Sequence, residues 1–426
     1  MAHKTDLGSL NFADIIRPGE TVAWGQASAE PLPLTQALMA QRHSIGRFKV
    51  FLGVTYSDTL KVEYADCIEF SGYPGTGGNR ALARAGKLDI YPLHYSQLYQ
   101  CIADGRLKID VLLVQLAPAD AEGNYSLSLA HEYLIPLLDR ARVVIAEVND
   151  QAPWTYGERV VREDDLDYIV HTSHPPLELI HPAPGEAELA IARHIAGMVE
   201  DGSTLQFGMG ALPEAILAAL SGHRDLGVHT GAIGDQVAVL MESGAINNAR
   251  KNIDPGVTIA GVMFGGRRIQ QFCHRNAAVQ FRAMNYTHGS AVLGKLDKFV
   301  SLNAAIEVDL SGQINAEVAG ATYVGAVGGA VDFQRAAQQS KGGLPFVALP
   351  SMVENAAGKS SRIVSRLSGP VSTPRSDAGI IVTEHGVADL RGMPLSQRMK
   401  KLIAIAHPDV RERLEREAHE SDSRAS

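Results

Sequence analysis

The chain has 426 residues, of which 45% are hydrophobic and 20% charged, so it is long enough and apolar enough for two packed domains. Its net charge of -8 at pH 7 argues against the broad basic surface of a nucleic-acid-binding protein. No apolar stretch reaches the roughly 20 residues that cross a bilayer. The start MAHKTDLGSL lacks the apolar segment of a secretory signal, so we expect no membrane association and a cytoplasmic location.

The cysteines and histidines show no spacing typical of a metal site. Cys67, Cys101 and Cys273 are odd in number, far apart and without a C-x-x-C pair, so we interpret them as buried thiols in a reducing compartment. The histidines contain no H-E-x-x-H or comparable pair. We therefore expect no catalytic metal.

Short β-branched runs at 111–114 and 143–146 predict strands that are buried on both faces of a parallel sheet. A proline- and glycine-rich stretch before residue 186 precedes a segment of helical periodicity at 186–200. The sequence thus predicts an N-terminal domain at 1–180 and a C-terminal domain at 181–426.

The two halves begin alike. PGETVAWGQASAEPLPLTQAL at 18–38 and DGSTLQFGMGALPEAILAAL at 201–220 each read as a turn, a short strand, a glycine-containing loop and a proline-led helix. This internal duplication predicts two related α/β domains, with the ligand site in the cleft between them.

Two glycine motifs are candidates for binding a charged oxygen. Gly208 and Gly210 lie between a predicted strand and a helix start, where free amides can hold a phosphate, although a tight turn would look the same. In YVGAVGGAVDF, the amides of Gly328 and Gly329 can approach a developing oxyanion, although a strand-end bulge would also use such glycines. The amide of Asn285 could complete this site or simply bond nearby backbone.

Three other polar residues have structural as well as catalytic interpretations. His229 follows an apolar run and could face a cleft as a proton carrier or be packed in the core. Glu307 and Asp309 alternate with apolar residues, so both carboxylates should face the same side of a strand. A polar strand face explains that pair as well as acid–base chemistry does.

Taken together, the order of motifs resembles the acetyl-CoA hydrolase/transferase family, including 4-hydroxybutyrate CoA-transferases. The resemblance covers nearly the whole chain. Its motifs are AEP at 29–31, AEVNDQAP at 146–153, HTSHP at 171–175, FGMGALPEAI at 207–216, LGVHT at 226–230, NAAIEVDLSGQI at 303–314, VGGAVDF at 327–333, SRIVSRL at 361–367, VTEHGVADLRG at 382–392 and IAHPD at 405–409.

The resemblance implies two open α/β domains with the active site between them, a CoA thioester as substrate and no tightly bound cofactor. It implies an oxyanion site formed by Asn285 and the Gly328–Gly329 region. It places CoA largely on the C-terminal half, and the residues that we assign to CoA binding are Gly208, Gly210, Gly325, Glu384 and Gly386. Small carboxylic acids and their CoA thioesters are the expected partners, and a homo-oligomer is possible.

The resemblance also implies a nucleophilic glutamate at a position where this sequence has glycine. In relatives a glutamate follows the H-T pair, attacks the acyl-CoA carbonyl and becomes a glutamyl-CoA thioester; here that position is Gly231. Three interpretations follow. A CoA-transferase could use another carboxylate, for which Glu30 is the candidate, a thioester hydrolase could admit water at Gly231, and a silent protein could only bind acyl-CoA.

Overall fold

The computed structural model describes residues 2–355 and 358–425, and we call residues up to 180 the N-terminal half and the later residues the C-terminal half. The N-terminal half is built on a parallel sheet whose central strands are buried along their whole length. Its strands are β1 (His3–Lys4), β2 (Thr21–Trp24), β3 (Phe48–Leu52), β4 (Ile68–Gly72), β5 (Leu88–Ile90), β6 (Val111–Leu116), β7 (Val143–Asn149), β8 (Tyr156–Gly157) and β9 (Tyr168–Thr172).

Eight of these strands form the sheet, in the order β1-β9-β7-β6-β2-β3-β4-β5. The two predicted strands are confirmed as β6 and β7, which pair in parallel with Val111 opposite Val143. The helices of this half cover the sheet and are α1 (Phe12–Ile15), α2 (Leu32–Ile45), α3 (Asn79–Arg84), α4 (Tyr95–Ala103) and α5 (Leu134–Leu138).

The C-terminal half repeats the arrangement around a six-stranded sheet of order β11-β10-β16-β21-β25-β26, parallel except for the last pair. Its strands are β10 (Thr204–Phe207), β11 (Gly227–Val228), β12 (Ala232–Ile233), β13 (Thr258–Ala260), β14 (Val262–Met263), β15 (Val279–Phe281), β16 (Phe299–Ala304), β17 (Glu307–Asp309), β18 (Ile314–Asn315), β19 (Val318–Ala319), β20 (Thr322–Tyr323), β21 (Leu344–Ala348), β22 (Met352–Asn355), β23 (Gly358–Ser361), β24 (Ile363–Val364), β25 (Ile380–Thr383) and β26 (Gly386–Asp389). Its helices are α6 (Glu186–Ala196), α7 (Ala211–Ala219), α8 (Asp235–Glu242), α9 (Arg267–Cys273), α10 (Met284–Thr287), α11 (Ser290–Leu293), α12 (Ala330–Gln339), α13 (Leu395–Ile405) and α14 (Pro408–Ala425).

The helix expected at 186–200 ends earlier than its periodicity suggested. It stops at Ala196, and Gly197 caps it by donating its amide to the carbonyl of Arg193. The chain then turns through Gly202, whose φ of +78° favours glycine, before β10 begins. The predicted repeat of strand, glycine loop and helix is present in both halves, as β2 with α2 and as β10 with α7.

The halves share a core and a small sheet. In that sheet β8 of the N-terminal half pairs in parallel with β15 of the C-terminal half. One continuous cluster of buried apolar side chains includes Leu112 of β6, Leu205 of β10 and Val262 of β14. Because a close-packed core is rigid, it can hold residues from the two halves in a fixed geometry at their junction.

Two of the three cysteines, Cys101 and Cys273, are buried as expected, whereas Cys67 is only partly buried. Burial still raises the pKa of the Cys67 thiol to about 11, which favours the unreactive protonated form. Within the described residues, no helix combines the length and apolar character needed to cross a membrane.

Candidate active site

A cavity of about 180 Å³ lies at the junction of the two halves. The C-terminal ends of strands β10 and β16 and the start of helix α12 reach it, as expected for a ligand site in an open α/β fold. Of the predicted site residues it brings together Gly208, Gly231, Gly328 and Gly329. Its other lining residues are Gln26, Tyr73, Tyr95, Glu132, Gln206, Phe207, Met209, Ala232, Val262, Phe264, His288, Asn303, Ala330 and Phe333.

The glycine pair joins the halves at the start of helix α12. Gly328 has a φ of +56°, and its carbonyl accepts a hydrogen bond of 3.0 Å from the amide of Tyr95. Gly329 is the N-cap of α12, and a Cβ there would lie 2.5 Å from the ring of His288. A side chain at Gly329 would therefore collide with that ring. The backbone at the start of α12, from Gly328 to Ala330, lines the cavity, and the amides at a helix start can hold a negatively charged oxygen.

Asp332, in the first turn of α12, fastens this arrangement to the N-terminal half. Its two carboxylate oxygens accept hydrogen bonds from the amide of Ser96 at 3.2 Å and from the Ser96 hydroxyl at 2.8 Å. Ser96 follows Tyr95 at the start of helix α4, so the two contacts hold the starts of α4 and α12 together.

His288 fills the space beside Gly231. A Cβ on Gly231 would lie 2.8 Å from Cε1 and 3.1 Å from Nε2 of the imidazole. The ring packs between Tyr95 and Phe333, with centroid separations of 4.8 and 4.4 Å, and Nδ1 lies 2.8 Å from the hydroxyl of Thr287. Burial lowers the pKa of His288 to about 3, so the imidazole is neutral at pH 7.

Among the described residues that line the cavity, Glu132 is the only one with a carboxylate. Its side chain is fully buried; Oε1 accepts a hydrogen bond from Nε2 of Gln26 at 2.5 Å, and Oε2 accepts one from the hydroxyl of Tyr95 at 2.6 Å. Burial raises the pKa of Glu132 to about 7, and these two hydrogen bonds oppose the rise. The cavity therefore holds a carboxyl group that exchanges its proton near neutral pH.

The side chain of Gln26, which donates to Glu132, is held in one orientation by its own hydrogen bonds. Oε1 of Gln26 accepts hydrogen bonds from the hydroxyl of Tyr73 at 2.6 Å and from the amide of Val54 at 2.9 Å, so its NH₂ group faces Glu132. Burial raises the pKa of Tyr73 and of Tyr95 well above the ordinary value, so both phenols are protonated donors at neutral pH.

Other predicted site residues lie outside the cavity. Glu30 is buried, with Oε1 accepting hydrogen bonds from the hydroxyls of Thr35 at 2.9 Å and Ser57 at 2.8 Å, and burial raises the pKa of its carboxyl. Asn285 is exposed on α10 and lines a neighbouring groove that also reaches His288. The structure therefore separates both residues from the cavity that contains Gly231.

Four residues that we assigned to CoA binding also lie away from the cavity. Gly210 has a φ of +121° and caps α7, whereas Gly325 packs so closely that a Cβ would lie 1.9 Å from the Ala316 carbonyl oxygen. Glu384 accepts hydrogen bonds from the amide and hydroxyl of Ser351, and Gly386 begins strand β26 with a φ of +138°. These contacts are those of turns and packed backbone. Of the five residues that we assigned to CoA binding, only Gly208 lines the cavity.

The remaining polar candidates are held by local structure. His229 is fully buried and stacked on Tyr286, and burial lowers its pKa to about 4. Glu307 accepts hydrogen bonds from the amide and hydroxyl of Ser368, and Asp309 accepts several from the turn that follows β17. None of the three lines the cavity.

Comparison with known sequences decides the family. The profile of the acetyl-CoA hydrolase/transferase N-terminal domain matches residues 9–180, and that of the C-terminal domain matches residues 265–418. A 4-hydroxybutyrate coenzyme A transferase of Clostridium kluyveri is 36% identical over 401 residues, which is 92% of each chain. The chain belongs to the acetyl-CoA hydrolase/transferase family.

Solved structures of similar proteins confirm the two-domain α/β fold of this family member. RipA from Yersinia pestis is 30% identical and superposes with a TM-score of 0.92, covering 99% of this chain and 98% of that one. A 4-hydroxybutyrate CoA-transferase from Porphyromonas gingivalis is 32% identical, with a TM-score of 0.82 and 98% of both chains covered.

Two polar residues that line the cavity, Glu132 and His288, were not predicted from the sequence. Glu132 is the one charged residue between Tyr125 and Leu138, a stretch that is otherwise rich in apolar residues and almost entirely buried. A carboxylate in such a stretch is an unusual and therefore informative signal. His288 lies three residues beyond Asn285 in the same segment, but nothing in its spacing marks it as the residue that faces the cavity.

Proposed function

We propose that this protein is an acyl-CoA:carboxylate CoA-transferase for small acids that works without a nucleophile at residue 231. The observation that carries the proposal is the set of groups around one cavity: the Glu132 carboxyl, the neutral His288 imidazole and the amides at the start of α12. A thioester carbonyl bound among them would have hydrogen-bond donors for its developing negative charge and a carboxylate for attack.

The cavity has room for a small acyl group. Its volume of about 180 Å³ is sufficient for the reacting end of a thioester with an acyl chain of a few carbons, and the cavity opens to solvent. The rest of CoA would extend outward along the C-terminal half. The reaction needs no tightly bound cofactor, and we place it in the cytoplasm.

Thioester hydrolysis is the second candidate. Gly231 has no side chain, and a carboxyl with a pKa of about 7 can take a proton from water at neutral pH. Water next to a bound thioester would then give free CoA and an acid. Transfer and hydrolysis give different products, a new acyl-CoA in one case and free CoA in the other, so one assay separates them.

The assay mixes the protein with acetyl-, propanoyl-, butanoyl-, 4-hydroxybutanoyl- and succinyl-CoA, with and without acetate, and follows all CoA species by mass spectrometry. Transfer gives a new acyl-CoA only when an acceptor acid is present, whereas hydrolysis gives free CoA without one. Binding of acyl-CoA in calorimetry with no turnover across the panel would contradict both activities and favour a binding protein.

A further inference from the structure

We propose that Glu132 is the nucleophile of this enzyme and forms the covalent CoA intermediate in place of residue 231. The inference rests on the proposed transferase activity and names the residue that would perform it. In this chain the reacting carboxylate would come from the N-terminal half, at the entry to α5, rather than from the loop before β12.

Backbone hydrogen bonds link Glu132 to Gly231 through one residue, Gly261. The amide of Gly261 donates a hydrogen bond of 2.9 Å to the carbonyl of Gly231, and the carbonyl of Gly261 accepts bonds from the amides of His131 at 2.9 Å and Glu132 at 3.4 Å. A Cβ on Gly261 would lie 3.4 Å from Cβ of Glu132 and 3.0 Å from the carbonyl oxygen of Gly231. The two positions therefore flank Gly261 and open onto the same cavity.

Buried carboxylates are usually paired with a cation. Within the described part of the chain, Glu30, which is held by the hydroxyls of Thr35 and Ser57, and Glu132 are both buried outside any ion pair, and of the two only Glu132 lines the cavity. The hydrogen bonds to Glu132 come instead from a neutral amide and a neutral phenol, Gln26 and Tyr95. Burying a carboxyl group in this way costs stability, and activity at the cavity accounts for keeping it there.

The same surroundings suit a nucleophile. Because burial raises the pKa of Glu132 to about 7, its carboxylate is more basic than an ordinary one while a large fraction stays ionised at neutral pH. Gln26 and Tyr95 each donate to one oxygen of Glu132, and the start of α12 and His288 line the same cavity, where their hydrogen-bond donors can stabilise an oxyanion.

The chemistry proceeds without a redox step. An oxygen of Glu132 attacks the thioester carbonyl and the C–S bond breaks. CoA leaves as the thiolate, and a mixed anhydride of Glu132 and the acyl group remains. The thiolate then attacks the Glu132 carbonyl carbon, the anhydride C–O bond breaks, and the donor acid leaves carrying one oxygen from Glu132. The acceptor carboxylate then attacks the glutamyl-CoA thioester, releasing CoA thiolate and forming a second anhydride. The thiolate attacks the acceptor's acyl carbon of that anhydride, so CoA leaves on the acceptor's acyl group and one oxygen of the acceptor remains on Glu132.

Trapping and oxygen labelling test this directly. Wild-type protein is incubated with butanoyl-CoA, treated with hydroxylamine or borohydride, digested and mapped by mass spectrometry. In a parallel sample, [¹⁸O]acetate is added as acceptor for a single turnover. We expect the trapped adduct and one ¹⁸O atom on Glu132, and Glu132→Gln should lose the adduct and slow exchange on the order of 1,000-fold or more.

Glu147→Gln is the matched control, because Glu147 is a fully buried carboxylate of the same half that does not line the cavity. This variant should keep the adduct on Glu132.

Exchange with an adduct on another residue such as Glu30, or exchange without label on Glu132, would overturn this inference and leave the transferase proposal standing. An adduct on Glu132 without exchange would support the inference but contradict transfer. Absence of both adduct and exchange would overturn both, and the wild-type measurement decides even if Glu132→Gln fails to fold.

Discussion

Gly231 and His288 occupy a space that only one of them can fill: a Cβ at residue 231 would lie 2.8 Å from Cε1 of the His288 ring. A glutamate at residue 231, the side chain that the motif resemblance predicts there in relatives, would crowd a ring already packed between Tyr95 and Phe333. The glycine at residue 231 and the position of the imidazole belong to one local arrangement.

The first prediction concerns this pair. Gly231→Glu should destabilise the protein by about 1–3 kcal/mol because it overpacks the cavity, and His288→Ala in the same chain should recover much of that loss. Thermal unfolding of the two single variants and the double variant measures the coupling. Purely additive effects would show that the two positions do not share the space. After butanoyl-CoA incubation, we expect an adduct at residue 231 only in the double variant.

The second prediction separates two candidate oxyanion donors. His288 lines the cavity and Asn285 does not, so His288→Ala should lower kcat on the order of 100-fold with a smaller change in KM, and Asn285→Ala should change kcat much less. His419→Ala, at an exposed position on α14, controls for loss of a histidine. A larger effect of Asn285→Ala would favour the assignment made from the sequence motif.

The third prediction is a pH dependence. Because the pKa of Glu132 is about 7 and the ionised form attacks, the rate of adduct formation should rise with pH and reach half of its plateau near pH 7. The hydrogen bond from Tyr95 lowers the pKa of Glu132, so Tyr95→Phe should move the midpoint to higher pH. Tyr125→Phe, a buried tyrosine of the same half outside the cavity, should leave it in place. Identical midpoints in all three proteins would argue against control by Glu132.

The fourth prediction concerns stability. The folded-state pKa of Glu132 is raised from 4.5 to about 7, so between these values the native state keeps a proton that the unfolded chain has released. The free energy of unfolding therefore falls as pH rises through this window, by about 3 kcal/mol from this group alone. Glu132→Gln removes the effect and should gain stability relative to wild type on going from pH 5 to pH 8. Thermal or urea unfolding at both pH values measures that difference, and an equal offset at each pH would contradict the shifted pKa.

The repeated α/β architecture could be predicted from the sequence because it depends on local patterns. The apolar runs of β6 and β7 and the proline-led start of α7 carry their own signals of strand burial and helix initiation. The glycines at 231, 328 and 329 are singled out because their motifs resemble those of the family, and all three line the same cavity; their role as site residues stays a prediction.

The polar lining of the cavity could not be predicted, because it depends on contacts between distant segments. Gln26, Tyr95 and Glu132 are separated by tens of residues and meet only through the packing of β2, α4 and α5. Glu30 was a reasonable candidate from its motif, yet its carboxyl is held by Thr35 and Ser57 away from the cavity. No periodicity in the sequence distinguishes these two buried glutamates.

Exchange of ¹³C-labelled acetate into the acyl-CoA pool tests the role of Glu132 most directly. It is measured with wild-type protein and with Glu132→Gln that has been shown to fold and to bind CoA. The proposed mechanism predicts labelled acetyl-CoA from butanoyl-CoA with wild type, and a loss of about 1,000-fold or more with Glu132→Gln. Undiminished exchange in Glu132→Gln, or no labelled acetyl-CoA from any thioester of the panel with wild type, would contradict it.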